Sequence, residues 1–131
     1  MIVVVIVGIL TAIVLPNYQR YVLRAHRTAA INAIMDLANR EARFYTTNNT
    51  YSASLVALGY SADPMPVTSG SGTYYNLSVV APGALTPITS SFQLQAVPTP
   101  AQINDTCGTY TYSSLGQKGI STGTLSDCWK Q

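Results

Sequence analysis

The sequence is poor in charged residues, and its first nineteen positions contain none. Lysine, arginine, aspartate and glutamate make up 9% of the 131 residues, against about a quarter in an ordinary soluble protein. The formal net charge of +2 is too small to indicate a nucleic-acid partner by itself. The length fits one domain plus an anchor, and the abundant serine, threonine and asparagine suit an extracellular surface.

Histidine and paired acidic residues, which most catalytic and metal sites need, are scarce. His26 is the single histidine, and the acidic residues form no pair within one short motif: Asp36, Glu41, Asp63, Asp105 and Asp127. A general acid–base pair is therefore missing, and a hydroxyl nucleophile would lack its base. Two cysteines and one histidine are too few for a structural zinc site. We expect no enzyme activity, no catalytic residue, no cofactor and no metal.

The chain begins with an uninterrupted apolar segment. It comprises Met1, Ile2, Val3, Val4, Val5, Ile6, Val7, Gly8, Ile9, Leu10, Thr11, Ala12, Ile13, Val14 and Leu15. About 20 apolar residues cross a bilayer as a helix, so this segment approaches the required length, with Tyr18 and Tyr21 as interfacial aromatics. It must lie in lipid or against other apolar helices. An uncleaved signal sequence or a plain anchor is the alternative.

The apolar segment continues into an amphipathic helix. In residues 31–45 apolar side chains recur every three or four positions and polar ones occupy the other side, which predicts a helix lying on a core. We predict one long helix, kinked at Pro16, that ends at residues 48–50. The chain then divides into an apolar helix for a membrane or for contact with other apolar helices, residues 1–22, and a globular domain that we call the head, residues 23–131.

In the second half of the chain the hydrophobic period becomes two. Apolar and polar residues alternate in Tyr75–Val79, Phe92–Ala96 and Tyr110–Tyr112, which predicts an antiparallel sheet packed on one face. The fold class is therefore α+β, with the long helix packed on this sheet. The predicted turns contain Pro82, Gly83, Pro87, Pro98 and Pro100.

Three further predictions concern the segments beside these runs. A fourth strand is expected near Gly119–Ser121 or near Cys128–Lys130. Residues 51–66 are expected to form an irregular connection that stops sharply at its prolines, and residues 69–72 a flexible turn.

The two cysteines, Cys107 and Cys128, both lie near the end of the chain. An even pair behind an export-type N-terminus indicates a disulfide, with two buried free thiols as the alternative. We expect the enclosed loop to have little core of its own, so that the bridge stabilises it by roughly 3 kcal/mol.

These elements together resemble a type IV pilin. Met1–Leu10 resembles the family's N-terminal helix, and Pro16-Asn17-Tyr18 the point where that helix leaves the membrane. The tail resembles that of PilE-like pilins, which serve as major or minor subunits, in Cys107-Gly108-Thr109, Gly116-Gln117-Lys118-Gly119 and Asp127-Cys128-Trp129. The family's opening Phe-Thr-Leu-Ile-Glu-Leu, with its methylated phenylalanine, has no counterpart here, so we expect a truncated or misread start.

The resemblance implies the pilin fold and a structural subunit of a type IV pilus. Such a subunit leaves the inner membrane through an assembly platform and joins copies of itself and other pilins in an extracellular filament. The Cys107–Cys128 loop would be the family's surface D-region. Adhesion, twitching motility and DNA uptake would follow from the filament. Filaments of the family have an extended segment between the positions of Gly8 and Pro16; a continuous kinked helix is the alternative.

Three arginines, Arg20, Arg24 and Arg27, share one face of the predicted helix at spacings of four and three. They are candidates for contacts with lipid headgroups before assembly or with carboxylates of a neighbouring subunit afterwards. A solvated face is the equal alternative. A nucleic-acid partner is a weaker one, because three arginines are few.

Two other functions remain open at this point. A type II secretion pseudopilin shares the N-terminal helix, but such proteins often bind calcium through clustered acids, and the last loop offers only Asp127 with Asp105 just outside. A membrane-anchored binding module that forms no polymer is the second. Filaments recovered from sheared cells would exclude it.

Overall fold

The structure is a computed structural model that describes residues 1–80 and 88–130. The elements in chain order are helix α1 (Ile2–Asn48), strands β1 (Met65–Ser69), β2 (Gly72–Val80) and β3 (Gln93–Pro98), a 3₁₀ turn (Pro100–Gln102), strands β4 (Tyr110–Ser113) and β5 (Lys118–Ile120), and helix α2 (Leu125–Cys128). The strands form one antiparallel sheet in the order β1-β2-β3-β4-β5. The predicted α+β class, a long helix on an antiparallel sheet, is confirmed.

Helix α1 is continuous for 47 residues and includes Pro16. It ends where predicted, because Asn49 takes the left-handed conformation with φ 53° and its N–H donates to the Tyr45 carbonyl at 2.8 Å. Asparagine tolerates this conformation better than most residues. Residues 8–16 are helical in the isolated chain, and their loosening in a filament stays a prediction.

The core lies between the second half of α1 and one face of the sheet. From α1 it receives Ala30, Ile31, Ile34 and Leu37, and from the strands Tyr75, Leu77, Leu94, Ala96 and Tyr110, all at most 1% exposed. On the helix these residues recur every three or four positions, and on β2 and β3 every second position. The two hydrophobic periods seen in the sequence therefore mark the two surfaces of one core.

Strand β1 was missed by the sequence analysis, which placed an irregular segment and a turn over most of it. Met65–Ser69 pairs with β2, and Pro66 lies opposite Asn76. The proline is tolerated because β1 is an edge strand, where one side of the backbone has no neighbouring strand. Only Gly70 and Ser71 remain for the turn to β2.

The fourth predicted strand corresponds to β5, the first of the two expected positions. The second position, Cys128–Lys130, is wrong, because Cys128 ends helix α2. The predicted turn residues Pro82, Gly83 and Pro87 lie outside the described residues.

The Cys107–Cys128 disulfide is confirmed, with 5.7 Å between the two Cα atoms. The segment that it encloses is more than a surface loop, because it contributes β4 and β5 to the sheet. Trp129 packs edge-on against Tyr110 at 5.6 Å between ring centroids. Its Nε1–H donates to the Gly119 carbonyl at 3.1 Å. Among residues 108–127 only Tyr110 is buried, and it belongs to the main core, so the enclosed segment has little core of its own, as expected.

Candidate functional site

The apolar segment, residues 1–15, projects from the head without any covering. Its large side chains are exposed by between 50%, for Ile6, and 104%, for Met1. By length and composition, helix α1 is long and apolar enough to cross a membrane. None of the residues in its most apolar 18-residue stretch is buried. A helix that is apolar on every side needs lipid or other apolar helices around it.

A groove of about 850 Å³ lies between α1 and the C-terminal segment, just beyond the apolar segment. We call it the basic groove; it is lined by Arg20, Leu23, Arg24, Arg27, Thr28, Asn104, Thr106, Asp127, Cys128 and Lys130. The structure therefore brings the three predicted arginines together with Lys130, which the sequence analysis did not connect with them.

Arg27 differs from the other two arginines because it turns towards the core. Its Nε donates to both oxygens of Asp105, at 2.7 and 2.9 Å, and its terminal nitrogen pairs with the same carboxylate. Burial alone would raise the pKa of Asp105, but the hydrogen bonds from Arg27, Tyr75 and Gln102 outweigh it and hold the pKa below its usual value. The same hydrogen bond raises the pKa of Arg27. The charge of Arg27 is therefore used within the protein, where it pairs with Asp105, and is not available to a ligand.

The Asp105 carboxylate belongs to a buried network that joins α1 to the 3₁₀ turn. It accepts hydrogen bonds from the Tyr75 hydroxyl at 2.8 Å and from Gln102 Nε2 at 3.1 Å. His26 Nδ1 lies 2.9 Å from Gln102 Oε1, and the imidazole stacks on Tyr74. Nothing in the sequence indicated this network, because bonded partners such as Arg27 and Asp105 are 78 positions apart.

The remaining cations of the basic groove face solvent. The side chains of Arg20 and Arg24 are exposed and make no hydrogen bond or ion pair to any residue that the structure describes. Lys130 Nζ lies 3.4 Å from Asp127 Oδ1, and both side chains are exposed. Hydrogen bonds from Thr124 and then Lys130 lower the pKa of Asp127. The groove thus offers three accessible cations beside one carboxylate.

A second polar cleft, of about 540 Å³, lies at the other end of α1. We call it the distal cleft; it is lined by Asp36, Asn39, Arg40, Arg43, Phe44, Thr47, Asn48, Ala57 and Leu58. The sequence analysis placed its polar residues on the solvent side of the helix and did not recognise a cleft. The signal was present only as basic and amide residues one turn apart on one helix face.

Arg40 is fixed at the wall of the distal cleft, whereas Arg43 is exposed. Arg40 Nε donates to Asp36 at 3.0 Å, its terminal nitrogen donates to the Leu58 carbonyl at 3.2 Å, and the guanidinium lies 4.3 Å from the Tyr60 ring centroid. The Tyr60 hydroxyl also donates to Asp36 at 2.7 Å, and this bond is the main cause of the lowered pKa of Asp36. Arg43 is left as the accessible cation.

No cluster of metal-ligating side chains occurs in the part of the chain that the structure describes. Among residues 1–80 and 88–130, no three histidine, cysteine, aspartate or glutamate side chains cluster around a common point. The two acids considered for calcium have other partners, since Asp105 binds Arg27 and Asp127 binds Thr124 and Lys130.

A family profile described as "Type IV minor pilin ComP, DNA uptake sequence receptor" matches residues 16–111. The match spans most of the chain, from the end of the apolar segment to β4. The chain belongs to this family of type IV minor pilins. The resemblance to type IV pilins is thereby confirmed, and the minor rather than the major class is indicated. Pilins are structural proteins without enzyme activity.

Solved structures agree with the fold of this minor pilin. A type IV pilin from Shewanella oneidensis is 26% identical, covers 83% of this chain and 99% of its own, and superposes with a TM-score of 0.51. The non-core minor pilin PilV of Neisseria meningitidis is 19% identical over 80% of this chain and 92% of its own, with a TM-score of 0.53. The second likeness concerns the fold alone. No curated protein sequence matches the chain.

Proposed function

We propose that this minor pilin is held in the inner membrane by residues 1–15 and then transfers that segment into the core of an extracellular type IV pilus. The exposure of every large side chain in the segment supports this. Burying one such side chain stabilises by about 1.5–3 kcal/mol, so leaving the membrane without a new apolar environment would cost tens of kcal/mol. Residues 1–22 then act as anchor and assembly element, and residues 23–131 as the head.

We further propose that the head binds DNA, through the distal cleft. The printed description of the family names a receptor for the DNA uptake sequence. Arg43 lies 28 residues beyond Leu15, which is about 42 Å along an α-helix. If the apolar segment lies in the filament core, the distal cleft is farther from it along α1 than the basic groove is. It is therefore better situated to meet DNA from outside than the basic groove.

The chemistry of the distal cleft suits a nucleic-acid ligand. Arginine binds phosphate and guanine, asparagine binds adenine, and threonine binds phosphate. Here Arg43, Asn39 and Thr47 line one cleft. The exposed guanidinium of Arg43, beside amide side chains, is the observation that carries the proposal.

The experiment compares DNA binding by single variants of the full-length protein in detergent micelles. Fluorescence anisotropy with a labelled duplex carrying the host's uptake sequence, and with a shuffled duplex, gives the affinities. Arg43→Ala should weaken binding about fivefold or more, since one such contact contributes about 1–3 kcal/mol. Lys118→Ala removes the same charge from strand β5 and should change the affinity less than twofold. Equal losses in both variants, or no duplex binding by the wild type, would contradict the proposal.

Adhesion and twitching motility, which the pilin resemblance also implied, stay predictions. Both depend on the surface and retraction of the whole filament. No contact among the described residues favours either of them, so the DNA-binding proposal is the one that the surface of the head supports.

A further inference from the structure

The basic groove lies at the depth of a membrane surface if residues 1–15 are inserted, as proposed above. Arg20 and Arg24 follow Leu15 by five and nine residues, which correspond to about 7.5 and 13.5 Å along the helix. The headgroup region on each side of a bilayer is about 5–8 Å thick. The two arginines therefore extend through and just above the phosphate layer. Tyr18 and Tyr21, which are 64% and 72% exposed, suit the interfacial aromatic belt.

The groove has the charge and the hydrogen-bonding groups that a phosphate ester needs. Arg20, Arg24 and Lys130 are exposed, whereas the charge of Arg27 is already balanced by Asp105. The side chains of Asn104 and Thr106 also line the groove, whereas the Thr28 hydroxyl, which lines it too, already donates to the Arg24 carbonyl at 3.1 Å. The opposing charge comes from Asp127. A volume of about 850 Å³ lies in the range that accommodates small ligands.

The side of the membrane gives a second reason to expect an anionic ligand. The Cys107–Cys128 disulfide indicates that the head lies in an oxidising compartment outside the cytoplasm. Basic residues next to membrane helices are normally concentrated on the cytoplasmic side. Arg20 and Arg24, which follow the apolar segment on the outer side and have no acidic partner among the described residues, oppose this tendency. A specific anionic partner at the outer surface accounts for them.

We propose that the basic groove binds the phosphate of an anionic phospholipid, of the phosphatidylglycerol class, in the outer leaflet of the inner membrane. Arg20 and Arg24 bind the phosphate from α1, and Lys130 binds it from the C-terminal segment. The lipid thereby holds the disulfide-closed part of the head close to the membrane surface before assembly. The contact is lost when the subunit leaves the lipid.

The test measures which lipids the full-length protein retains. The protein is reconstituted in nanodiscs of equal phosphatidylcholine and phosphatidylglycerol, released into mild detergent, and the retained lipids are counted by mass spectrometry. The wild type should retain phosphatidylglycerol preferentially. Arg24→Gln and Lys130→Gln should each reduce that preference about fivefold, the effect expected for one basic residue at an anionic surface. Lys118→Gln, a charge-matched control on β5, should leave it unchanged.

Four results would overturn this inference. If Arg24→Gln and Lys130→Gln retained phosphatidylglycerol as well as Lys118→Gln and the wild type do, the groove would bind no headgroup. Loss of duplex DNA binding in the two groove variants with an unchanged lipid ratio would make the groove a DNA surface instead. If the wild type inserts into membranes but shows no lipid preference, only this inference is wrong. If alkaline carbonate releases the wild type from membranes, the proposed membrane insertion is wrong as well.

Discussion

At the scale of single residues, the Asp105 carboxylate joins three separate parts of the chain. Its oxygens accept hydrogen bonds from Arg27 on α1, Tyr75 on β2 and Gln102 in the 3₁₀ turn. Its side chain is fully buried and that of Arg27 is 16% exposed. Removing one partner of a buried ion pair leaves the other charge uncompensated, which costs more than the pair contributed.

We predict that Asp105→Asn lowers the free energy of unfolding by about 3 kcal/mol. Denaturant unfolding of the full-length protein in micelles, followed by the fluorescence of Trp129, measures it. Asp36→Asn removes an exposed ion pair with Arg40 and should cost less than about 1 kcal/mol. Because the pKa of Asp105 lies below its ordinary 3.8 in the folded state, the wild type should lose this stability as the pH falls through the folded-state pKa. If the wild type and Asp105→Asn still differed by the full amount in unfolding free energy at the lowest pH, this account would be contradicted.

Glu41 is the second buried acid, and its environment raises the pKa of its carboxyl, whereas that of Asp105 is lowered. Its side chain is completely buried, Oε2 accepts the Ser52 N–H at 3.0 Å, and Oε1 has no partner among the described residues. Burial raises its pKa above the ordinary 4.5, and the Ser52 hydrogen bond only partly offsets this. The folded state therefore binds a proton more tightly than the unfolded state does.

A raised pKa means that Glu41 makes the protein less stable as the pH rises from about 4.5 through the folded-state value. We predict that Glu41→Gln flattens the pH dependence of the unfolding free energy in that range. Denaturant unfolding at a series of pH values measures the slope. An unaltered slope in the variant would mean that Glu41 is not buried as an ionisable group.

At the scale of elements, α1 combines two environments in one helix. Residues 1–15 are exposed on every side, whereas residues 30–37 contribute the core. Between Gly8 and Pro16 the single proton of the Thr11 hydroxyl is shared between the carbonyls of Val7 and Gly8, at 2.9 and 3.0 Å, a contact that bends helices rather than strengthening them. In lipid the backbone of this segment has no other partners. In a filament core it can meet neighbours and water, and glycine and proline then weaken the helix.

We predict that residues 8–16 are protected from hydrogen exchange in nanodiscs but exchange faster than residues 17–30 in assembled pili. Exchange followed by mass spectrometry of peptic fragments compares the two states. Pro16→Ala restores the missing N–H and should slow exchange of this segment in pili. Equal protection in both states would favour the continuous helix throughout assembly.

At the scale of the whole molecule, the apolar segment and the head should tolerate the same substitution very differently. An arginine near the centre of a membrane helix costs about 2.5–3.5 kcal/mol. We predict that Ile9→Arg reduces membrane insertion and abolishes incorporation into pili. Ile103→Arg, at a head position that is 74% exposed, should affect neither. Alkaline carbonate extraction and mass spectrometry of sheared pili measure the two properties, and wild-type levels of Ile9→Arg in pili would refute the proposed role of the segment.

The local pattern of the sequence by itself determined the apolar segment, the long helix and the strands β2 to β4, and it indicated the disulfide. For strand β5 it offered two positions, of which the structure has the first. The hydrophobic periods of 3.6 and two residues are set by neighbouring positions in the chain. The disulfide was inferred from the number of cysteines behind an export-type N-terminus. Strand β1 was not predicted, because Pro66 is acceptable in a strand only at a sheet edge. Which strand lies at the edge is defined by the order of strands in the assembled sheet.

Only the tertiary structure decided which polar residues act together. Arg20, Arg24 and Arg27 have the same spacing pattern in the sequence, yet Arg27 turns to Asp105, 78 positions away, and the other two face a groove with Lys130. A buried charge requires a partner, and the packing of the C-terminal segment on α1 determines which partner is within reach. Residue spacing along one helix carries no information about that packing.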